Sequence, residues 1–248
     1  MLTDDLMQGL DPVAFAHSLG FQPDPWQAGV LRIPAARLLL NCSRQSGKST
    51  TSALLGLHRA LYYPGSLVLL VSPSLRQSSE LFRKATDLLA RLPERPAMPE
   101  ENRLSIRLAN GSRIVSLPSS EQTIRGFSGA SLIIEDEAAR VPDALYYAVR
   151  PMLAVSGGRL VLLSTPFGQR GHFFEAWEHG GEAWERVQVR ATECPRIPNS
   201  FLKEERETMP ARWFAQEYEC SFEETEDSVF AYEDVMEALS GEVEALYL

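Results

Sequence analysis

The chain has 248 residues, 44% of them hydrophobic and 23% charged, enough apolar material for one large core or for a core with a small appendage. No stretch approaches the ~18–20 uninterrupted apolar residues of a membrane span, and "MLTDDLMQGLDP" lacks the basic-then-apolar order of a signal peptide, so an intracellular globular protein is expected. The net charge of −9 excludes a surface that is basic all over but not a local basic patch, and Cys42, Cys194 and Cys220, in no C-x-x-C pattern, read as reduced structural thiols.

Along the chain, short apolar runs alternate with helical periodicity, the pattern of a mainly parallel sheet covered by helices on both faces. "RLLLNC" (37–42) predicts a first strand and residues from about 47 to 63 a helix. "SLVLLVSP" (66–73) predicts a second strand, and Leu81, Leu88, Leu89 and Leu92 give helical spacing within 75–92. "RLSIRLANGSRIVSLP" (103–118) then breaks the pattern with two alternating runs around Asn110-Gly111. Both residues tolerate the positive φ of a tight turn, so an antiparallel hairpin attached to the sheet is expected. "SLIIEDE" (131–137), "RLVLLSTP" (159–166) and "WERVQVRA" (184–191) predict further strands, with a helical "PDALYYAVRPMLAV" between the first two. After Pro198 two short helices broken at Pro210 and an acidic tail follow, which places a domain edge near residue 195 and divides the chain into 1–195 and 196–248.

Three of these elements carry chemistry. "NCSRQSGKST" (41–50) lies between a strand and a helix, where a phosphate loop must lie for backbone N–H groups and a helix N-terminus to surround phosphates. It satisfies G-x-x-x-x-G-K-[ST] except at its first position, which is Cys42; Lys48 is placed for phosphate oxygens and Ser49 for Mg²⁺. The first glycine eases a turn and the second, Gly47, permits close approach, so Cys42 is the more tolerable departure. "SLIIEDEA" ends in acids suited to a Mg²⁺-dependent ATPase: Asp136 to hold the metal, Glu137 to polarise water, with Glu135 as the alternative base. Alternation along the strand sets Glu135 and Glu137 on the side opposite Asp136. In "LLSTP", Ser164, Thr165 and Pro166 end a strand with small hydroxyls that can sense a γ-phosphate.

"FQPDPWQAGVL", "SRQSGKST", "VSPSLRQSSELF", "TIRGFSGASLIIEDEA" and "VLLSTPFG", in that order, resemble the large terminase subunit of tailed bacteriophages, across about residues 20–222. The resemblance implies an α/β P-loop NTPase core of the RecA-like (ASCE) kind with an added β-hairpin and a small helical C-terminal subdomain. It also implies an ATP- and Mg²⁺-dependent motor that moves double-stranded DNA into a procapsid, working as a homo-oligomeric ring with a portal and a small terminase subunit in the infected host cell's cytoplasm. Residue by residue it implies adenine recognition by Gln27 with Trp26 nearby. It implies a phosphate loop over Ser43, Arg44, Gln45, Ser46, Gly47, Lys48, Ser49 and Thr50, with Arg44 reaching the γ-phosphate in the same subunit. Asp136 and Glu137 match the Mg²⁺ and catalytic acids, Ser164, Thr165 and Pro166 the coupling motif, and Arg125 the arginine finger inserted into a neighbour's site.

Duller readings stand beside these: Trp26 as an anchor for the N-terminal segment, Arg125 as a surface arginine, Arg44 pointing to solvent. The family's C-terminal nuclease domain has no counterpart in these residues; "SVFAYEDVMEAL" resembles the linker leading to it, and no nuclease activity is expected. On the hairpin, Arg103 and Arg107 fall on one face of a strand, a solvated face by default and a DNA-phosphate contact as the sharper hypothesis. A helicase-like ATPase shares loop, acids and coupling motif but needs a second, similar domain; a nucleotide-binding scaffold without hydrolysis is the third reading.

Overall fold

The computed structural model describes residues 2–118 and 126–224. Arg125 and "SVFAYEDVMEAL" therefore lie outside the described residues. The strands are β1 (Arg37–Cys42), β2 (Leu67–Ser72), β3 (Glu100–Glu101), β4 (Ser105–Arg107), β5 (Arg113–Pro118), β6 (Leu132–Asp136), β7 (Arg159–Ser164) and β8 (Glu185–Val189). They form one sheet in the order β3-β4-β5-β2-β6-β7-β1-β8. From β5 to β8 every pairing is parallel, and β3 and β4 add two antiparallel strands at one edge. Strands β6 and β7 are inserted between β1 and β2, so the chain leaving β1 must cross over them. The carboxyl ends of β1, β6 and β7 thus meet at a topological switch point, where sheets of this kind bind ligands.

Period-2 alternation divides the core between the two faces. Leu38, Leu40, Val68, Leu70, Ile134, Val161 and Leu163 share one apolar cluster with Leu54 and Leu57 of α4 (Lys48–Tyr62) and with Leu81 and Phe82 of α5 (Leu75–Leu89). The intervening Leu39, Leu69, Val71, Ile133, Leu160 and Leu162 pack with Leu145 of α6 (Asp143–Val149) and Phe173 of α7 (Gly171–His179). Three N-terminal helices, α1 (Leu2–Leu10), α2 (Pro12–Ser18) and α3 (Pro25–Arg32), join the α4 side, with Phe15 and Val30 in that cluster. A third, small cluster of Ala191, Leu202, Phe214 and Tyr218 is built around α8 (Asn199–Thr208) and α9 (Ala211–Tyr218), which Pro210 separates. No helix among the described residues is long and apolar enough to cross a membrane.

The hairpin forms around Asn110-Gly111 as its sequence predicts. Gly111 has φ +85°, and the Asn110 amide donates to the carbonyls of Ala60 and Leu61 at 2.8 and 3.0 Å, tying the turn to the end of α4. Its first strand is shorter than expected. The Asn102 carboxamide oxygen accepts the N–H groups of Leu104 and Ser105, making a local turn, so Arg103 precedes the strand and does not share a strand face with Arg107. The helix expected over "PDALYYAVRPMLAV" ends at Val149 and tightens into a 3₁₀ turn over Arg150–Leu153, because Pro151 lacks the N–H that an α-helix needs there.

Candidate functional site

The loop after β1 begins while the chain is still paired in the sheet. Cys42 is in register with Val189 of β8, and the next residue, Ser43, donates its N–H to the Val189 carbonyl at 2.9 Å. Cys42 is not among the residues with positive φ, and its side chain is buried. The first position of this loop is strand backbone, and nothing there requires glycine. The turn is made further on, at Gln45 (φ 60°) and Gly47 (φ 95°). At Gly47 the left-handed backbone favours glycine, and a Cβ there would lie 2.8 Å from Gln27 Nε2 and 2.9 Å from Arg196 Nη2, so both side-chain ends would have to shift. Within the loop Ser46 Oγ donates to Ser43 O at 2.9 Å, and Thr50 N and Thr51 Oγ1 donate to Gly47 O at 3.1 and 3.2 Å.

Lys48 opens α4 and is almost fully buried. Its Nζ donates to Thr165 Oγ1 at 3.1 Å and lies 3.3 Å from Glu137 Oε1, so one ammonium joins the loop, the β6 acids and the end of β7. Ser49 Oγ donates to Asp136 Oδ2 at 3.2 Å, and Glu137 N donates to Asp136 Oδ1 at 3.1 Å. Burial, and secondarily repulsion from Glu137, push the Asp136 carboxyl up to about 6, against the pull of Lys48 and the Ser49 hydrogen bond. A hydroxyl beside a buried carboxylate that is costly to ionise is a donor set suited to a hard divalent cation such as Mg²⁺. Ser164 and Thr165 are buried, the Ser164 hydroxyl donating to the Thr165 carbonyl at 2.7 Å, and Pro166 follows, also buried.

Glu137 departs from simple strand alternation. Strand β6 stops at Asp136, and Glu137 takes a left-handed conformation (φ 56°, ψ 41°), which is uncommon for a residue with a Cβ. That twist brings its carboxylate to the Lys48 side, along with Asp136, and within 3.5 Å of Arg140 Nη1. Glu135 stays on the other face, fully buried, with Oε1 2.5 Å from His172 Nε2. The other ring nitrogen of His172 meets Asp143 Oδ1 at 3.1 Å, and the ring stacks on Tyr146. Glu135 is therefore committed to a buried contact with α7, and Glu137 is the acid at the loop.

The N-terminal candidates occupy structural positions beside the loop. Gln27 is buried; its carbonyl oxygen accepts Asp24 N at 2.9 Å, and its amide lies 3.5 Å from Gly47 O. Trp26 is half-buried against the apolar cluster, as the anchoring reading expects. Arg44 is drawn toward α9: its N–H donates to Glu217 O at 3.0 Å and its Nε lies 3.4 Å from Glu217 Oε2. Arg196 is a loop residue that sequence reasoning missed. Its guanidinium donates to Ser46 O at 2.6 Å and pairs with Asp24 Oδ2 at 2.7 Å, stapling the loop to the start of α3. No local pattern announces such a residue, except that Pro195 and Pro198 fix the chain on either side of it.

A family model described as terminase large subunit, T4likevirus-type, N-terminal, matches residues 39–236. The large terminase subunit of Thermus phage G20c is 26% identical over 257 residues, covering 90% of this chain and 53% of that protein. The chain thus spans about half the length of the curated relatives it matches. Among solved structures, the large terminase ATPase domain of Thermus phage P74-26 has a TM-score of 0.75 at 24% identity, covering 84% of this chain and 97% of that one. The large terminase of another thermophilic bacteriophage, in complex with ADP, has a TM-score of 0.67 at 10% identity, covering 80% and 53%. At such identities these two likenesses establish the fold alone.

Proposed function

The chain belongs to the terminase large-subunit family, and from that premise we propose that it is an ATPase motor unit whose hydrolysis of ATP drives double-stranded DNA into a procapsid. The observation that carries this reading is the convergence of Lys48, Ser49, Asp136, Glu137 and Thr165 where β1, β6 and β7 end. The loop N–H groups and Lys48 bind and orient the phosphates, while Glu137 accepts a proton from the attacking water in line with the γ-phosphate. Its contacts with Lys48 and Arg140 hold its carboxylate at the loop for that role. Ser49 and Asp136 would hold Mg²⁺, which when bound would supply charge neutralisation for the phosphates. Thr165, on the same ammonium as the phosphates, would report their loss to Ser164, Pro166 and the start of α7. The ADP complex of the structurally similar bacteriophage terminase supports the choice of nucleotide.

Gln27 and Trp26 take the adenine side. Arg44 reaches the γ-phosphate once it leaves Glu217, and Arg125 completes a neighbour's site in a homo-oligomeric ring. Portal, small terminase subunit and DNA are the partners, in the cytoplasm of the infected host cell. The small apolar cluster around α8 and α9 favours reading residues 196 onward as a subdomain of their own. For DNA contact at the hairpin, Arg103 is the better candidate, because Arg107 is held 3.1 Å from Glu100 Oε1.

The deciding test is Glu137→Ala assayed for both steps. Turnover is expected to fall by about 10²–10⁴-fold with ATP affinity retained, as for loss of a general base. Unchanged turnover overturns the assignment of Glu137, and absence of ATP binding by the parent chain overturns the motor reading.

A further inference from the structure

At the amino end of the sheet, opposite the loop after β1, a cavity of about 450 Å³ opens between α1, α3, α4 and the starts of β1, β6 and β7. Its walls include Leu10, Leu31, Leu55 and Tyr63, and Arg59 and Arg159 line it too. Nε of Arg59, and Nε and Nη2 of Arg159, are shielded from solvent with no hydrogen-bond partner. Among the described residues no carboxylate pairs with either arginine; the nearby Arg32 is already neutralised by Asp11 at 2.6 Å. Arg59 lies 4.1 Å over the Tyr63 ring, which offers its face but no counter-charge. His58 Nε2 donates to the Gln8 carbonyl at 3.0 Å, and burial moves its pKa down, so it adds no charge of its own near neutral pH.

Donors on charged groups that are cut off from water and left without acceptors destabilise a fold, and two like charges in one cavity add to that cost. Burial, and then the neighbouring Arg59, lower Arg159 to about 10, which records the same conflict from the other side. A monoanion would cancel one of the two charges. A phosphomonoester at neutral pH carries close to two negative charges and three acceptor oxygens, matching two forked donors. The cavity is concave and half-lined by apolar side chains, a shape for a compact ligand body and not for the convex backbone of a duplex.

We propose that the cavity bounded by Arg59 and Arg159 is a binding site for a small phosphomonoester dianion carried on an apolar or aromatic body, at the pole of the domain opposite the ATP loop. This goes beyond the motor assignment and does not depend on it.

The test is calorimetric and thermal titration of the full chain with phenyl phosphate, in phosphate-free buffer, alongside benzoate, inorganic phosphate and a short DNA duplex. Two variants separate the two phosphate sites: Lys48→Ala for the nucleotide loop, and Arg59→Met/Arg159→Met for the cavity. Phenyl phosphate is expected to stabilise and bind the parent and Lys48→Ala alike, with Kd weakened at least about tenfold in the double variant. Benzoate should bind more weakly than phenyl phosphate. Ligand-free, the double variant should melt at or above the parent, since it loses unpaired buried charge; if it does not fold, Arg59→Gln and Arg159→Gln singly must each weaken binding with an unchanged circular dichroism spectrum. The proposal is overturned if phenyl phosphate fails to bind at millimolar concentration, if Lys48→Ala abolishes all binding, if the arginine variants bind normally, or if duplex displaces phenyl phosphate from the Lys48→Ala chain.

Discussion

Cys42 replaces the glycine with which phosphate loops usually open, and its place in the sheet explains why it is tolerated. It ends β1 in register with Val189, and the loop turns three residues later, at Gln45. Restoring glycine would add backbone freedom to a strand end and empty a buried site. Cys42→Gly is therefore expected to destabilise the fold by about 1–2 kcal/mol in urea unfolding while leaving nucleotide affinity unimproved. A tighter-binding, equally stable variant would show that the cysteine hinders the loop. Asp136 illustrates the opposite case, a residue kept at a cost. Its folded pKa is raised from the ordinary 3.8 to about 6, so between those values the folded chain holds a proton that the unfolded chain has released. Stability then falls as pH rises through that window, and above it the penalty is complete. Asp136→Asn is expected to raise the neutral-pH unfolding free energy by on the order of 2–3 kcal/mol while abolishing Mg²⁺-dependent nucleotide binding. A variant no more stable than the parent would mean that the Asp136 carboxyl is not raised in the folded chain.

Among the elements, β1, β2, β6, β7 and β8 were legible because each is a short, largely apolar run with turn residues at its ends. The hairpin was legible from Asn110-Gly111. What escaped was set by contacts remote in sequence: Arg196 reaches Ser46 across 150 residues, and His172 reaches Glu135 across 37, spacings that no local periodicity encodes. The left-handed turn at Glu137 also lies outside any alternation rule, since it arises where the strand has ended. The pair His172–Glu135 binds β6, one residue before Asp136, to α7, which follows the Ser164-Thr165-Pro166 segment. Burial alone would lower the His172 pKa, but hydrogen bonds and charge from Glu135 and Asp143 outweigh it and the pKa is raised. The stabilisation from charged His172 is then fully present below its unfolded pKa of about 6.5 and is lost as pH climbs through the higher folded value. Unfolding in urea at pH 6 and pH 9 should show this loss. His172→Gln should flatten it and cost about 3 kcal/mol at pH 6 by leaving Glu135 buried and unpaired; a parent whose stability is flat above pH 6 would argue that His172 is neutral throughout.

At the scale of the whole molecule, the loop after β1 is a seam. The N-terminal segment touches it through Gln27, the core through Lys48 and Thr165, and the C-terminal helices and the segment before them through Glu217 and Arg196. Arg44, the arginine proposed to act in cis, lies 3.4 Å from Glu217 Oε2 and would have to leave that contact to meet a phosphate on the loop. If Arg125 acts across a subunit boundary, an isolated chain has no neighbour's Arg125 to complete its site, and slow turnover at low concentration follows. Activity per chain should then rise with protein concentration, and Arg125→Ala should lose on the order of 10³-fold, in line with arginine fingers elsewhere. The sharper form mixes two dead chains. Arg125→Ala retains an intact base, and Glu137→Ala retains an intact finger, so an interface that pairs them rebuilds one complete site from two defective ones. Recovery of turnover in an equal mixture requires a trans arginine. Concentration-independent activity with a silent Arg125→Ala would instead leave each chain to hydrolyse ATP alone, with Arg44, released from Glu217, as the arginine that meets the γ-phosphate.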